Sequence, residues 1–184
     1  MDDTPTKGTA DALLDPAGRP LDPSIVKKIA TLRGQVRESF GGIVMAMMSM
    51  SRYCHLTIEE LKTIILDPLV QDRIAIAYPS TQERAAVADY TGFAIWASVS
   101  EEVDAKIREQ SSAGTFPVRL KTDDWTSGDI NWLLDVLAPN AEAAALVLAN
   151  FKQVVDGGEL RIHPMVAQQV DEDTMRNLGA QKMG

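Results

Sequence analysis

Apolar residues recur at steps of three and four between Ile25 and Phe40. This spacing predicts an amphipathic helix that begins at Pro23 and ends where two glycines, Gly41 and Gly42, interrupt it. The stretch that follows, residues 43–48, is apolar on every side and is therefore predicted to be buried.

A second helix is predicted after His55. Thr57 is followed three positions later by Glu60, which is the spacing of a capping box at a helix start. Its predicted inner face consists of Leu61, Ile64 and Ile65. The helix is expected to end near Asp67-Pro68, because the residue before a proline avoids helical geometry.

The rest of the chain alternates between strand and helix patterns. Alternating or continuously apolar runs predict strands over residues 73–78, 88–99, 116–120, 130–137 and 160–165. Helices are predicted over residues 100–109 and 141–155, the latter closed by Gly157-Gly158. This order favours an α/β (α+β) fold with a mixed central sheet flanked by helices. We predict a mobile leader over 1–22, a single domain over 23–168 and a loose tail over 169–184.

Charge and cysteine content narrow the function classes. The 184 residues carry a net charge of −8, which argues against a nucleic-acid partner. No run approaches the roughly 18 apolar residues that span a bilayer. One cysteine and no recognisable secretory signal predict a cytoplasmic protein. Residues 25–37 contain no acidic side chain and four basic ones: Lys27, Lys28, Arg33 and Arg37. These cations form either a docking site for an acidic partner or a solvated helix face.

Asp135 is the most unusual residue of the predicted 130–137 strand. Alternation puts it on one face with Leu133 and Leu137, where a carboxylate must be paired or shifted in pKa. The alternative is that Asp135 caps a loop or pairs with a surface arginine.

His55 lies at or just before a helix start and is one of two histidines. A neutral imidazole there can accept a proton near pH 7, as a general base must, or it can simply bind local backbone groups. Its neighbour Cys54 is expected to be core filler rather than a nucleophile. His163 has no second metal-ligand candidate at useful spacing, so no metal site is predicted. A glycine turn of the kind that cradles coenzyme A pyrophosphate is also absent from the sequence.

One stretch resembles a known family. Trp125-x-Ser127-Gly128-Asp129-x-x-Trp132-x-x-Asp135-x-x-Ala138-Pro139 closely resembles the signature of RTX toxin-activating lysine acyltransferases, the proteins that activate haemolysin and related cytolysins. Weaker similarity runs from Gly42 to His55 and over 93–97, so the resemblance covers roughly residues 40–165.

The resemblance implies an acetyltransferase-like (GNAT-like) fold, a homodimer, and fatty acyl transfer from acyl carrier protein to internal lysines of an RTX protoxin-like protein. His55 falls on the family's catalytic histidine and Asp135 on its catalytic aspartate. His55 is expected to act as base or as acyl acceptor, while Asp135 orients the imidazole or stabilises its charged form. No cofactor is expected, since the donor is a carrier-protein thioester.

The chain departs from the family pattern before its histidine. The family carries a Ser-x-x-His run, whereas Arg52 stands three residues before His55 and the nearest serine, Ser51, stands four before it. A catalytically silent module of the same fold, which grips an acyl-carrier or protoxin partner, is the alternative function.

Overall fold

The computed structural model describes residues 18–78, 92–155, 159–169 and 181–182. The chain divides into two compact units, Met1–Glu38 and Ser39–Gly184. The leader up to residue 17 and the tail over 170–180 lie outside the described residues, so the predicted boundaries at 22 and 168 stay predictions. No helix of the described ranges is long and apolar enough to cross a membrane.

Helix α1 (Pro23–Met48) is longer than predicted. The expected end at Gly41-Gly42 is wrong, because the helix continues through both glycines. A helical glycine costs roughly 1 kcal/mol relative to alanine, and burial of Ile43 and Met47 in the core offsets that cost. The prediction that 43–48 is buried on every side is also wrong, since Met48 is 75% exposed.

The predicted capping box at Thr57 is confirmed, and it opens helix α2 (Ile58–Leu61). The helix does not end at Asp67-Pro68 as predicted. A π-helical turn (Lys62–Leu66) follows α2 and leads into α3 (Asp67–Val70). The Asp67 N–H donates to the Lys62 carbonyl five residues back, and this wider turn accommodates the proline at the start of α3.

Five strands form one mixed sheet in the order β1-β2-β3-β4-β5. Strands β1, β2 and β3 pair antiparallel, whereas β3, β4 and β5 pair parallel. Their bounds are β1 (Ile74–Ala77), β2 (Gly92–Val99), β3 (Ile130–Leu137), β4 (Leu160–Ile162) and β5 (Gln181–Lys182). The predicted mixed sheet with flanking helices is confirmed, and its GNAT-like detail stays a prediction.

Helices cover both faces of this sheet. The first core lies on the face that receives the end of α1, the π-helical turn and α4 (Glu101–Ser112). The second core lies on the face packed by α5 (Ala141–Val154) and α6 (Pro164–Ala167). A 3-10 helix (Thr122–Thr126) precedes β3 and buries Trp125 in the first core.

Two strand predictions are corrected. Residues 116–120 are irregular, because Pro117 has no N–H to donate and the Gln110 side chain instead bonds both the N–H and the C=O of Arg119. The strand predicted over 160–165 ends at Ile162, since His163 caps α6. The predicted strand residues 88–91 and the closing glycines 157–158 lie outside the described residues.

Candidate active site

The first predicted site residue, His55, lies in a short link between two helices. After α1 ends, residues Ser51–Tyr53 form a 3-10 turn, and Cys54 and His55 continue as a turn before the Thr57 cap. His55 is exposed, and in the described part of the chain its imidazole makes no hydrogen bond or ion pair. Its ring is therefore open to a substrate.

The second predicted site residue, Asp135, sits at a β-bulge in strand β3. Ile95 lies opposite Asp135 and Trp96 lies opposite Leu133, which leaves Leu134 as the extra residue. A bulge turns two successive side chains to the same side. Leu134 and Asp135 both line one cavity on the first-core side, whereas Leu133 packs in the second core. The expectation that Asp135 shares a face with Leu133 is therefore wrong.

Asp135 is buried and bound by neighbours of His55. Its Oδ1 accepts hydrogen bonds from Arg52 Nη2 at 3.1 Å and from the Val136 N–H at 2.8 Å. Its Oδ2 accepts a hydrogen bond from the Tyr53 hydroxyl. Arg52 Nη2 also donates to the Val136 carbonyl at 2.7 Å. The carboxylate is thus a paired buried charge, and the surface-pair alternative does not describe it.

Burial dominates the electrostatics of this group. It raises the pKa of Asp135 above its ordinary value, although Arg52, the Tyr53 hydroxyl and the Val136 amide all favour the charged form. Burial, together with the nearby charge of Asp135, raises the pKa of Tyr53 well beyond its usual range. Tyr53 therefore keeps its proton and acts as a hydrogen-bond donor to Asp135.

A small apolar cavity of about 20 Å³ adjoins Asp135. Its walls include Met47, Ile64, Ile65, Phe116, Trp125 and Leu134. Two irregular elements, the π-helical turn and the β-bulge, thus meet at one cavity beside a buried carboxylate. Both irregularities are often found at functional sites.

The structure does not join the two predicted site residues directly. Within the described ranges, no hydrogen bond or ion pair links His55 to Asp135. They are connected instead through Arg52 and Tyr53, two residues that the sequence-based search for chemistry did not select. Their one signal in the sequence was the departure from the Ser-x-x-His run, where Arg52 takes the place of the serine.

The comparison with family models decides the class of the protein. The model of the RTX toxin acyltransferase family (HlyC) matches residues 33–176, which include both His55 and Asp135. The chain belongs to this family. It is therefore an acyltransferase, and the suspected resemblance is confirmed. No curated protein matches the chain.

Four signature residues of this RTX toxin acyltransferase have structural roles. Trp125 is buried in the first core. Ser127 Oγ accepts from the Ser100 N–H at 2.9 Å and so ties the turn before β3 to the start of α4. A Cβ on Gly128 would lie 2.6 Å from the Val99 carbonyl oxygen, so only glycine fits there.

Trp132, another signature residue, supports a buried charge cluster. Its indole N–H donates to Asp104 Oδ1 at 2.8 Å, and Asp104 also pairs with Arg161 and Arg108. Burial acts to raise the pKa of Asp104, but these hydrogen bonds and charges together hold that pKa below its ordinary value. The cluster fastens α4 to the sheet.

The remaining candidates have local roles. Cys54 is exposed, contrary to the core-filler expectation, and its thiol donates to the Met50 carbonyl oxygen at 3.7 Å. His163 is buried, its Nδ1 accepts from the Met165 N–H at 3.3 Å, and burial lowers its pKa. The described residues contain no group of three His, Cys, Asp or Glu side chains that could hold a metal ion.

Proposed function

We propose that this RTX toxin acyltransferase moves a fatty acyl group from acyl carrier protein to the ε-amino group of internal lysines of an RTX protoxin-like protein. His55 serves as the base or as the acyl acceptor, and Asp135 supports it. The observation that carries the proposal is an exposed His55 on the same turn whose residues bind the buried Asp135. Membership of the family supplies the acyl-transfer chemistry.

In the direct route His55 removes a proton from the acceptor lysine. A lysine amine has an ordinary pKa near 10.4, so it must lose a proton before it attacks. The amine nitrogen forms a bond to the thioester carbonyl carbon, and the carbonyl electron pair moves to oxygen. Collapse restores the carbonyl, breaks the C–S bond and forms the amide. The proton held by His55 then passes to the departing thiolate, and the second proton of the attacking nitrogen passes to solvent.

In the alternative route a ring nitrogen of His55 attacks the thioester first. This step forms an acyl-imidazole and releases the carrier thiol, and the lysine amine then takes the acyl group from the imidazole. The exposure of His55 suits both routes. They differ in whether acyl groups appear on the chain before an acceptor is present.

The proposal extends to partners and location. The single cysteine is exposed and unpaired, which suits a reducing compartment such as the cytoplasm. The resemblance implies a homodimer and a carrier-protein thioester in place of a bound cofactor. Lys27, Lys28, Arg33 and Arg37 are all exposed on α1 and provide an acid-binding surface on a chain whose net charge is −8.

The test combines transfer with intact mass. Purified chain, acyl carrier protein charged with a fatty acyl group, and an RTX protoxin-like protein are mixed, and the mass of the acceptor is followed. We expect the wild type to add acyl groups to acceptor lysines. His55→Ala is expected to lower the rate by roughly 10²–10⁴, the usual worth of a positioned proton acceptor.

Cys54→Ala is the matched control, since Cys54 is exposed beside His55 and should not affect transfer. Near-normal transfer by folded His55→Ala would remove His55 from the chemistry. Incubation without acceptor separates the routes, because only the acyl-imidazole route adds an acyl mass to the chain itself. A chain that binds charged carrier protein without any transfer would be the silent binding module instead.

A further inference from the structure

The 51–55 segment carries both the residues that hold Asp135 and the proposed catalytic histidine. Its turns are closed by backbone hydrogen bonds: Tyr53 N–H to the Met50 carbonyl at 3.1 Å, Cys54 N–H to Ser51 at 3.3 Å, and Leu56 N–H to Tyr53 at 3.1 Å. The Leu56 N–H bonds the Tyr53 carbonyl across His55 and so ties the backbone of His55 to that of Tyr53. Whatever fixes Arg52 and Tyr53 therefore also fixes the backbone of His55.

Both carboxylate oxygens of Asp135 accept hydrogen bonds from this segment or from their own strand. Oδ1 accepts hydrogen bonds from Arg52 and from the Val136 N–H, and Oδ2 accepts one from the Tyr53 hydroxyl. The residue is only 5% exposed. Within the described residues no hydrogen bond or ion pair joins His55 to this carboxylate, and His55 is exposed whereas Asp135 is buried.

The two residues that hold Asp135 are themselves fixed by packing. The Arg52 guanidinium lies 4.8 Å from the centre of the Tyr53 ring and 5.7 Å from that of Phe116. The Tyr53 and Phe116 rings are 5.8 Å apart. The guanidinium thus lies against two rings that contact each other, and these contacts restrict its direction and support the link to Asp135.

From these contacts we infer that Asp135 is a positioning residue, which acts on His55 through Arg52 and Tyr53 rather than by touching the imidazole. This inference rests on the proposed function of His55. It gives Arg52 and Tyr53 a part in catalysis that neither the family signature nor the fold assigns to them. A misplacement of about 1 Å can lower a rate about 10²-fold, which is the scale expected when this anchor is lost.

The first test is a double-mutant cycle on transfer rate. Asp135→Asn, Arg52→Gln and the double variant should each lower kcat by about 10–100-fold and to the same extent, since all three cut one linkage. The KM values should change little, and Arg52→Lys should recover part of the rate by keeping the charge. Arg108→Gln, which loses an arginine–carboxylate pair away from this site, is the control and should turn over normally.

The inference is overturned if Asp135→Asn still lowers the rate when Arg52→Gln and Tyr53→Phe are both present, because Asp135 would then act without either link. Tyr53→Phe removes the hydroxyl that bonds Asp135 and keeps the ring, so it is the least disruptive variant to use if the charge variants fail to fold. We expect Tyr53→Phe to lower kcat in the wild type and to have no further effect in Asp135→Asn.

A second readout does not depend on turnover. The chain has two histidines, so the ring proton signals of His55 and His163 can be assigned by NMR with His163→Gln. Asp135→Asn and Arg52→Gln should change the His55 ring signals in the same way, since both release the same turn. A change caused by Asp135→Asn and not by Arg52→Gln would mean that Asp135 touches the imidazole directly. Absence of transfer by the wild type would refute the proposed function, while the NMR result would still decide whether Asp135 contacts His55.

Discussion

Arg52 and Asp135 are 83 residues apart in sequence, yet Arg52 Nη2 lies 3.1 Å from Asp135 Oδ1. The pair joins the turn after α1 to the bulge of β3. Because the aspartate is buried and the arginine is mostly so, removal of one partner leaves the other charge without compensation. We therefore expect this pair to contribute to the stability of the fold as well as to the proposed chemistry.

Asp135→Asn tests the need for charge at this point. The amide keeps the shape of the side chain, so the variant should fold, but its single oxygen can replace only Oδ1, which accepts from Arg52 and the Val136 N–H, and its NH2 group cannot accept from Tyr53. We expect the acyl-transfer rate to fall strongly, as measured by the mass of the acceptor at saturating substrates. Circular dichroism provides the control for folding. Unchanged turnover would mean that Asp135 matters only for stability, as the buried partner of Arg52.

Substitution of the α1 cations tests whether they bind the acidic carrier protein. Lys27→Glu combined with Lys28→Glu should raise the apparent KM for acyl carrier protein and leave the saturated rate nearly unchanged. Added salt should weaken the wild type more than this variant. Lys106→Glu on α4 is the control, and it is compared with Lys27→Glu alone, which changes the net charge by the same amount. An identical salt response would place carrier docking elsewhere, with Arg84 and Lys152 as the next positions to change. Arg161, a third candidate by charge, is excluded because it is mostly buried and paired with Asp104.

Two glycine substitutions should change the free energy of unfolding in opposite directions. A Cβ at Gly41 meets nothing within 4 Å, so Gly41→Ala should stabilise the helix by about 0.5–1 kcal/mol. A Cβ at Gly128 meets backbone atoms of Val99 and Ser100, so Gly128→Ala should destabilise by about 1–3 kcal/mol. Urea titration measures both, and equal midpoints would contradict the crowding assigned to the turn before β3.

The Asp104 cluster should make the free energy of unfolding depend on pH in acid. The pKa of Asp104 is lowered in the folded protein. The contribution of this carboxylate to stability is therefore present above the ordinary aspartate range and is lost as the pH falls through the lower folded value. We expect the wild type to lose more unfolding free energy than Asp104→Asn between about pH 5 and pH 2. Thermal melts across this range measure the difference. Parallel curves would show that Asp104 titrates alike in the folded and unfolded states.

Local rules of the sequence predicted those elements whose signals are local. The Thr57 capping box, the Ser100 start of α4 and the apolar run of β3 are all present as expected. Each depends on residues within one or two helical turns or on strand alternation, so neighbouring side chains settle the outcome. The family signature likewise lies in one continuous stretch.

The errors came where tertiary packing outweighed a local preference. Gly41 and Gly42 do not end α1, because burial of Ile43 and Met47 in the core stabilises the helix beyond them. Pro68 does not end its helix, because a π-helical turn accommodates it. Residues 116–120 form no strand, because a side chain from α4 takes the backbone groups that a partner strand would need.

By itself, the sequence determined the mixed α+β class, the family and the two residues on which to search for chemistry. Only the tertiary structure decided what surrounds them. A bulge, which alternation does not reveal, turns Asp135 toward the cavity, and an ion pair across 83 residues brings Arg52 to it. Long-range pairs of this kind depend on how the sheet and the turn after α1 pack together. The spacing of residues along the chain does not show which distant residues come into contact.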